Sequence, residues 1–368
     1  MPREPDRIDH DPAGARVPHT TGDAIMQYAR LGHSGLIVSR LAFGAGSLGV
    51  GETLPGLRKN LGQAQADRLV ARAIDAGITL FDTSDAYVGG QSELLLGHAL
   101  GKKRTDIVLT SKCGLRVGTA PTEAGLSRRH ILEAVEASLR RLGTDWIDVY
   151  HLHSIDPLTP LGETMRACEA LIASGKIRYL AVSNWPAWMA ATLLGLQKQH
   201  GCSPIVAMQL YYSLVGRDIE TELVPFAQAA GLGMLVWSPL AGGFLTGKYT
   251  RADPNPAGAR RSTFAQPPVD LERGYDVIDA MVEIAAARGC TPGHVAIGWL
   301  LAKPFVTSII FGISREEQLD DNLKSADMCL TDDEVATLDA LTMQPTRYPD
   351  WLLRMVPDPR TRSLLGLS

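Results

Sequence analysis

Eight short apolar runs rich in β-branched residues alternate with helix-like segments along this 368-residue chain. The runs lie at 41–44, 78–83, 106–111, 146–153, 177–183, 205–211, 233–238 and 306–312. Helical patterns lie at 63–76, 92–100, 127–142, 160–174, 186–199, 217–230, 276–302, 315–326 and 331–342. Because no break in composition interrupts the alternation, it predicts one α/β domain folded as a (β/α)8 TIM barrel. Periodicity alone leaves a doubly wound open sheet as the alternative.

The two ends of the chain depart from this alternation. Residues 1–25 contain four prolines, many charges and few apolar residues, which predicts a disordered N-terminal extension or sequence upstream of the true start. Met26 opens the folded part, in which an N-terminal hairpin leads into the first barrel strand. The barrel and its extra C-terminal helices are predicted over 26–343, and a C-terminal tail over 344–368.

Two helix starts carry recognisable caps. Thr291 precedes Pro292, and proline suits the first position of a helix because its missing N–H would have no partner there. Thr331 and Glu334 have the spacing of a capping box.

The glycines of LAFGAGSLG, at 44, 46 and 49, have the spacing of a dinucleotide-binding fingerprint. In a Rossmann unit the third glycine opens a helix, and an acidic residue ends the next strand ~20 residues later. Here glycines and a proline follow Gly49, and Asp82 comes too late. The Rossmann interpretation is therefore rejected, and the glycines predict a flexible turn near a binding site.

Charge and cysteine content exclude several classes of protein. The formal net charge is −4 and the basic residues are scattered, which argues against nucleic acid or a membrane surface as partner. No run reaches the length of a membrane span, and no secretory segment is recognisable. The five cysteines are widely spaced without a C-x-x-C motif, which argues against disulfides or a metal site and favours a cytoplasmic protein.

Polar side chains end the predicted barrel strands. Asp82 ends the second run with Tyr87 just beyond it, Lys112 ends the third, and His151 and His153 end the fourth. The later runs end with Ser183, Asn184, Gln209, Trp237, Ser238, Ser314 and Arg315. Since the carboxyl ends of barrel strands meet on one face, these side chains are expected to share a site.

This combination suits proton transfer to a carbonyl group. A free tyrosine has a pKa of about 10, and a neighbouring ammonium lowers that pKa by stabilising the phenolate. A lysine that stays charged in a buried pocket needs a carboxylate partner, and Asp82 lies on the neighbouring strand. A histidine can then hydrogen-bond the carbonyl oxygen.

At these residues the chain resembles the aldo-keto reductases. The resemblance covers residues 26–342 through the segments FDTSDAY, LTSK, DVYHLHSIDP, GKIRYLAVSN, SPLAGGFLTGKY and GISREEQLDDN. It implies a barrel that reduces aldehydes and ketones reversibly, with hydride from a nicotinamide cofactor. Carried over, the catalytic tetrad is Asp82, Tyr87, Lys112 and His153, with Tyr87 as the proton donor.

Two histidines compete for the fourth position. His151 and His153 point to the same side of a strand because side chains repeat every two residues. His153 lies nearer the carboxyl end and, with Asp156, matches the family's L-H-x-x-D pattern, so it is assigned to the tetrad. His151 is expected to be a core histidine or a supporting contact.

The resemblance also implies a cofactor site. Ser183, Asn184 and Gln209 match positions that bind the nicotinamide carboxamide, and Trp237 stands where a tyrosine commonly stacks on the ring. The pyrophosphate segment matches at Ser238, Leu240, Gly242 and Lys248. The adenosine end aligns with the family's G-A-S-R motif from Gly312 to Arg315, with Ser314 and Arg315 for the 2′-phosphate, and Gln318 and Asn322 match the adenine contacts. A guanidinium beside a hydroxyl suits a phosphate dianion, so NADPH is expected over the weaker NADH.

Two irregular segments have predicted roles. Residues 248–275 form a long stretch without periodicity, which the resemblance makes a lid over the cofactor. The tail carries Tyr348 and Trp351 among prolines, and it either borders the substrate pocket or wraps the barrel.

Three functions are weighed for this chain. The leading hypothesis is an NADPH-dependent reductase of a small-molecule carbonyl substrate, which also catalyses the reverse oxidation of the alcohol at the same site. The alternative is an NADP(H)-binding regulatory or redox-sensing subunit with weak catalysis, and a third is an unrelated barrel enzyme acting on sugar phosphates. The physiological substrate, the preferred direction and the oligomeric state are left open.

Overall fold

A computed structural model describes residues 26–54, 57–257, 259–353, 355–356 and 358–364. The predicted disordered extension over 1–25 lies outside these described residues. Within them the strands are β1 (Tyr28–Arg30), β2 (Ile37–Ser39), β3 (Leu41–Gly44), β4 (Gly49–Leu54), β5 (Leu57–Leu61), β6 (Leu80–Asp82), β7 (Val108–Cys113), β8 (Ile147–Leu152), β9 (Ile177–Ser183), β10 (Ile205–Tyr211), β11 (Gly233–Trp237) and β12 (Ser308–Gly312).

Eight of these strands close into a parallel barrel in the order β3-β6-β7-β8-β9-β10-β11-β12. The ring closes where β12 pairs with β3, and each strand follows its neighbour along the chain. The prediction of a (β/α)8 barrel is confirmed, and the open-sheet alternative is excluded because an open sheet has two unpaired edges.

The helices cover the outside of the barrel and continue past its last strand. They are α1 (Gln63–Asp75), α2 (Gln91–Leu100), α3 (Arg128–Leu142), α4 (Leu161–Ala173), α5 (Ala187–His200), α6 (Leu223–Ala229), α7 (Leu271–Arg288), α8 (Pro292–Leu301), α9 (Glu316–Leu323), α10 (Asp332–Thr342), α11 (Asp350–Leu353) and α12 (Pro359–Leu364). None of the described helices is long and apolar enough to cross a membrane.

The helix predicted over 276–302 is two helices. Gly289 ends α7 in the left-handed conformation at φ 64°, and Thr291 caps α8 by accepting a hydrogen bond from the His294 amide. The break follows from the chain's own signals, since glycine after a helix and proline at the next first turn both stop propagation. The capping box of Thr331 and Glu334 forms as predicted at α10.

The glycine-rich turn after the first barrel strand is more ordered than expected. A 3-10 turn over Ala45–Ser47 is followed by the antiparallel hairpin of β4 and β5, instead of a flexible turn. Gly49 has φ 127°, a conformation that side-chain-bearing residues rarely adopt, and a Cβ there would lie 2.9 Å from Val88.

The N-terminal hairpin forms as predicted from β1 and β2, and it also plugs the amino end of the barrel, which was not predicted. Leu31 and Val38 join the interior layer formed by Ala42, Leu80, Val149, Ala181, Ala207, Leu235 and Ile310. Both are fully buried, and burying a side chain of this size contributes about 2 kcal/mol. The plug leaves the carboxyl end, called the mouth below, as the end where a ligand can enter.

Candidate active site

The predicted tetrad meets at the mouth. Asp82 is the last residue of β6, Lys112 is the fifth of β7, and His153 follows β8 directly. Parallel pairing sets Asp82 beside Thr110 and Lys112 beside His151. Register therefore fixes the mutual heights of these side chains.

Lys112 is the centre of the cluster. Its side chain is fully buried, and its Nζ donates to both Asp82 carboxylate oxygens, at 2.8 and 2.7 Å, and to the Thr83 carbonyl at 2.8 Å. The Nζ also lies 3.4 Å from the Tyr87 hydroxyl. The ammonium thus joins a carboxylate to a phenol.

The charges of the cluster follow from these contacts. Burial raises the pKa of Asp82, but the charge and hydrogen bond of Lys112, together with His151 and Thr110, outweigh burial, so the pKa of this carboxyl stands below its usual value. Burial lowers the pKa of Lys112, but Asp82 and Tyr87 outweigh that effect and the net shift is upward. Lys112 and Asp82 are therefore an ion pair at neutral pH.

The pKa of Tyr87 is shifted in the direction opposite to the one expected from sequence. Its pKa is raised, first because burial disfavours the phenolate, while Lys112 opposes that shift and Asp82 adds to it. The ammonium does lower the pKa, as argued from sequence, yet burial prevails. Tyr87 is consequently a protonated phenol at neutral pH, which suits a proton donor.

Tyr87 comes from a turn, so other elements must hold it. It begins a 3-10 turn over Tyr87–Gly90 between β6 and α2. A Cβ on Gly46 would lie 3.3 Å from the ring, so a side chain there would press on the aromatic ring and glycine leaves it room. Buried Glu93 of α2 binds Ser111 of β7, and it accepts from Arg141 Nε at 2.7 Å, which ties this turn to the strand of Lys112.

His153 lies beside the phenol. Its ring and that of Tyr87 meet edge to face with centroids 5.7 Å apart. Burial, followed by the Lys112 charge, lowers the pKa of His153 to about 3, so the imidazole is neutral at working pH. Its Nδ1 is 3.1 Å from Ser84 Oγ, while Nε2 forms no hydrogen bond to any residue that the structure describes.

His151 is a buried neighbour of the ion pair. Burial and the Lys112 charge lower its pKa to about 3, and its Nδ1 lies 3.2 Å from Ser183 Oγ. Its Nε2 has no hydrogen-bond partner among the described residues. This surrounding agrees with the supporting role expected for His151.

The residues expected at the nicotinamide line the next strand ends. Gln209 Nε2 donates to Asp82 Oδ1 at 2.8 Å, which brings β10 into the ion-pair network. Asn184 Nδ2 donates to the His153 carbonyl, and Trp237 Nε1 donates to Asn184 Oδ1 at 3.0 Å. The structure therefore brings Ser183, Asn184, Gln209 and Trp237 together with the tetrad.

Tyr211 is an aromatic residue of the mouth that the sequence analysis missed. Its ring lies 5.2 Å from that of Trp237, and the two form one aromatic wall. An alternation of two from Gln209 along β10 could have found it, since both side chains lie on the same side of the strand.

The predicted pyrophosphate segment is an irregular turn. Ser238 has φ 55°, and its Oγ accepts from the Gly242 amide at 3.0 Å. Leu240 precedes the turn of Ala241–Thr246, in which Gly242 and Gly243 both have positive φ. A Cβ on Gly243 would lie 3.8 Å from Lys248 Nζ, so the lysine lies against this turn.

The predicted adenosine residues lie where β12 meets α9. Gly312 ends β12, and Arg315 is the residue just before α9. Ser314 Oγ donates to Gln318 Oε1 at 2.7 Å, and Asn322 lies one turn further along the helix. Arg315 is near enough to Lys248 to lower the pKa of that lysine, in addition to the effect of burial.

Two more cations border this region and were missed from sequence. Burial, followed by the charge of Arg260, lowers the pKa of Lys59 on β5 to about 8. Lys59 and Arg260 have no carboxylate partner within the described ranges. No local pattern marks this pair, because the two residues are distant in sequence and meet only through the fold.

The described part of the segment predicted to be irregular over 248–275 folds against the turn of Ala241–Thr246, and its last five residues, 271–275, are the start of α7. Arg261 donates to the carbonyls of Ala241 and Pro267 at 3.1 and 2.7 Å. Buried Tyr249 stacks on Phe244 with centroids 5.7 Å apart. The tail is more open, and Tyr348 and Trp351 are 74% and 52% exposed.

Backbone strain is concentrated at the mouth. Across the described residues, the non-glycine residues with positive φ are Val88, Asn184, Ser238 and Ala241. Each follows a barrel strand or lies in the turn beyond it. Such conformations cost of order 1–3 kcal/mol and occur where a site requires them.

A closed barrel with a phenol, an ammonium and a carboxylate joined at its mouth defines a barrel enzyme equipped for proton transfer at a small molecule. Comparison with known proteins then identifies the family. The model of the aldo/keto reductase family matches residues 40–342, and the chain belongs to that family of oxidoreductases.

The chain is similar both to proteins named as reductases and to proteins named as probable channel subunits. The chain is 34% identical to versiconal hemiacetal acetate reductase of Aspergillus parasiticus, over 85% of this chain and 96% of that protein. It is 30% identical to an aldo-keto reductase of Fusarium vanettenii, over 89% and 95%. It is 35% identical to a probable voltage-gated potassium channel subunit beta of Arabidopsis thaliana, over 82% and 92%.

Proposed function

We propose that this protein reduces an aldehyde or ketone to the alcohol with NADPH, with Tyr87 as proton donor, and that it catalyses the reverse oxidation at the same site. The observation that carries this proposal is the contact of Lys112 Nζ with both the Asp82 carboxylate and the Tyr87 hydroxyl. It links the acid to a fixed positive charge, which the acid needs once its proton has left.

The three side chains have distinct tasks. Tyr87, protonated because burial raises its pKa, donates its O–H to the carbonyl oxygen of the substrate. As the proton leaves, negative charge develops on the phenol oxygen, and the Lys112 ammonium 3.4 Å away stabilises it. Asp82 keeps Lys112 charged in surroundings that would otherwise favour the neutral amine.

His153 supplies a second hydrogen bond to the same oxygen. The imidazole is neutral, so one ring nitrogen carries a hydrogen, and Nδ1 already bonds Ser84. Nε2, which has no partner in the described part of the chain, is the nitrogen available to a substrate. A hydrogen there polarises the carbonyl and orients its oxygen toward Tyr87.

The side chains around the mouth fit a nicotinamide dinucleotide. Such a cofactor, when bound, supplies the hydride. Lys248, Lys59 and Arg260 offer positive charge without carboxylate partners among the described residues, as two phosphates require. Trp237 and Tyr211, with ring planes 41° apart, offer aromatic surface for the nicotinamide beside the amides of Asn184 and Gln209. Ser314 and Arg315 would bind the 2′-phosphate, which only NADPH carries, and Gln318 and Asn322 would contact the adenine.

The test is turnover of a simple aldehyde, 4-nitrobenzaldehyde, followed by the absorbance of reduced cofactor. Tyr87→Phe should lower kcat by ~10²-fold or more, the scale of general acid catalysis, with unchanged affinity for NADPH measured by fluorescence quenching. Phenylalanine keeps the ring against Gly46, so folding should be preserved. Activity retained in this variant would exclude Tyr87 as the proton donor.

A regulatory subunit is the second candidate, because one group of relatives carries the name of potassium channel subunits. This role would use the same cofactor site with little turnover. A complete tetrad favours catalysis, and wild-type turnover no faster than that of Tyr87→Phe would favour the regulatory role instead. A sugar-phosphate enzyme would require that NADPH fails to bind.

A further inference from the structure

Asp85, one residue past the Ser84 that contacts His153, is a buried carboxyl group that the proposed mechanism does not use. It is 3% exposed. Its Oδ1 lies 3.2 Å from Ser84 Oγ, while its Oδ2 has no hydrogen-bond partner among the residues described. A buried carboxylate in such surroundings is costly, so the group requires an explanation.

The groups that face Asp85 come from several elements. Glu93 of α2 is a like charge, and Arg141 of α3 is an opposite charge already paired with Glu93. The remaining titratable neighbours are Cys113 of β7, Tyr150 of β8 and Tyr87 of the adjoining turn. Burial, followed by Glu93, raises the pKa of Asp85 to about 7.

Ser84 connects this carboxyl group to the candidate active site. Its Oγ is 3.2 Å from Asp85 Oδ1 and 3.1 Å from His153 Nδ1. A hydroxyl has one hydrogen, so Ser84 donates to only one of these two atoms at a time. The other atom must then bring its own hydrogen to Ser84 Oγ.

Two hydrogen-bond patterns satisfy this condition. With Asp85 protonated on Oδ1, the acid donates to Ser84, Ser84 donates to His153 Nδ1, and the imidazole carries its hydrogen on Nε2. With Asp85 ionised, Ser84 donates to the carboxylate, His153 donates from Nδ1, and Nε2 is left with a lone pair. The imidazole is neutral in both patterns.

We propose that Asp85 is a positioning residue whose protonation state selects, through Ser84, the tautomer of His153 that faces the substrate. This inference rests on the proposed function for its consequence in catalysis. Neutral Asp85 holds the Nε2–H form, which donates to the substrate oxygen. Ionised Asp85 removes that donor, and both directions of the reaction slow because they cross the same transition state.

The proton balance of the switch is simple. On going from neutral to ionised Asp85, the carboxyl proton moves to Ser84 Oγ and the hydroxyl proton of Ser84 moves to His153 Nδ1. The hydrogen on Nε2 leaves to water at the mouth. One proton is released, no heavy atom is exchanged, and no other reactant is required.

The direct test reads the tautomer without any turnover. The 15N shifts of the ring nitrogens distinguish Nδ1–H from Nε2–H, and His153→Gln identifies the signals of His153 by their loss. In the wild-type protein the His153 signals should change from the Nε2–H to the Nδ1–H pattern between about pH 6 and about pH 8.5. Signals that do not change over this range would overturn the proposal.

Three variants separate the relay from a structural effect. Asp85→Asn cannot ionise, and its amide can still donate to Ser84, so His153 should keep the Nε2–H form at every pH. Ser84→Ala breaks the relay, and the tautomer should lose its pH dependence although Asp85 is present. Ser84→Thr keeps the hydroxyl and should restore the wild-type response. A pH response that persists in Ser84→Ala would contradict the relay.

Kinetics provide the second readout. Wild-type kcat/KM should fall at least ~10-fold above neutral pH, since loss of one donor to a developing oxyanion costs that much or more. The same profile of Asp85→Asn should lack this fall. If the tautomer switches as expected but 4-nitrobenzaldehyde is not reduced by any variant, the proposed function fails and the relay stands.

Discussion

Replacing Asp82 with asparagine should destabilise the protein markedly. The Lys112 side chain is fully buried, so its ammonium cannot turn to water when the carboxylate is lost. The hydroxyl of Thr110 and the amide of Gln209 also donate to Asp82 Oδ1 and would lose a charged acceptor. Breaking a buried ion pair by removing one partner costs about 3–5 kcal/mol.

This cost translates into a melting temperature. Unfolding entropy of about 2.1 cal/mol/K per residue gives ~0.7 kcal/mol/K for the part of the chain that the structure describes, so Tm should fall by about 4–7 °C. Differential scanning calorimetry measures the shift. The double variant Asp82→Asn with Lys112→Met should recover much of it, because it also removes the buried ammonium that the single variant leaves unpaired.

The control is an ion pair at the other end of the barrel. Asp148 near the start of β8 pairs with Arg104 at 2.9 Å, and both are largely buried. Asp148→Asn should lower Tm by a comparable amount and leave turnover unchanged, whereas Asp82→Asn should lose turnover as well. A Tm within 1 °C of wild type for Asp82→Asn would refute the account of Lys112 as a buried cation dependent on that carboxylate.

Three further predictions concern binding and pH. Arg315→Ala should weaken NADPH at least ~10-fold and NADH little, in fluorescence titrations with Lys324→Ala as control, and equal losses would remove the 2′-phosphate assignment. Burial lowers the pKa of His151 to about 3 in the folded protein. As pH falls below 6.5, the imidazole is therefore protonated in the unfolded chain while it stays neutral in the folded one. The free energy of unfolding of the wild type should therefore fall by about 2 kcal/mol by pH 5 because of this residue, and His151→Gln should lack that fall in urea titrations. If the free energy of unfolding changes equally with pH in both proteins, the prediction is wrong. The pKa of Asp85 is raised to about 7, so the wild type loses stability as pH rises from 3.8 through 7. Asp85→Asn should therefore have a higher Tm than the wild type at pH 8 but not at pH 4. The same difference in Tm at both pH values would contradict this prediction.

Much of the mouth could be predicted because barrel strands obey simple rules. Side chains alternate along a strand, and parallel strands end together, so Asp82, Lys112 and His153 had to meet once the runs were recognised. The strand bounds of β3, β9 and β10 agree with the predicted ones residue by residue. These strands are mostly apolar, with Arg178 and Gln209 as the polar exceptions before the ends of β9 and β10.

Features set by packing between distant segments could not be predicted. The β4–β5 hairpin is glycine-rich and lacks a clear apolar alternation, so its pairing is invisible in the local pattern. The net rise in the pKa of Tyr87 depends on how deeply the fold buries the phenol. In the sequence Asp85 is indistinguishable from other polar loop residues, because its burial results from packing against α2, β7 and β8.

Among the residues that the structure describes, the four non-glycine residues with a left-handed backbone have a consequence for engineering. Val88, Asn184, Ser238 and Ala241 concentrate unfavourable backbone conformations at the mouth, while the plug of Leu31 and Val38 closes the opposite end. Substitutions that raise the thermal stability of the protein should therefore be sought around the plug and in the outer helices. Glycine at these four positions would relieve the unfavourable backbone conformations and raise Tm by a few degrees, but it would make the ligand-binding end of the barrel less rigid.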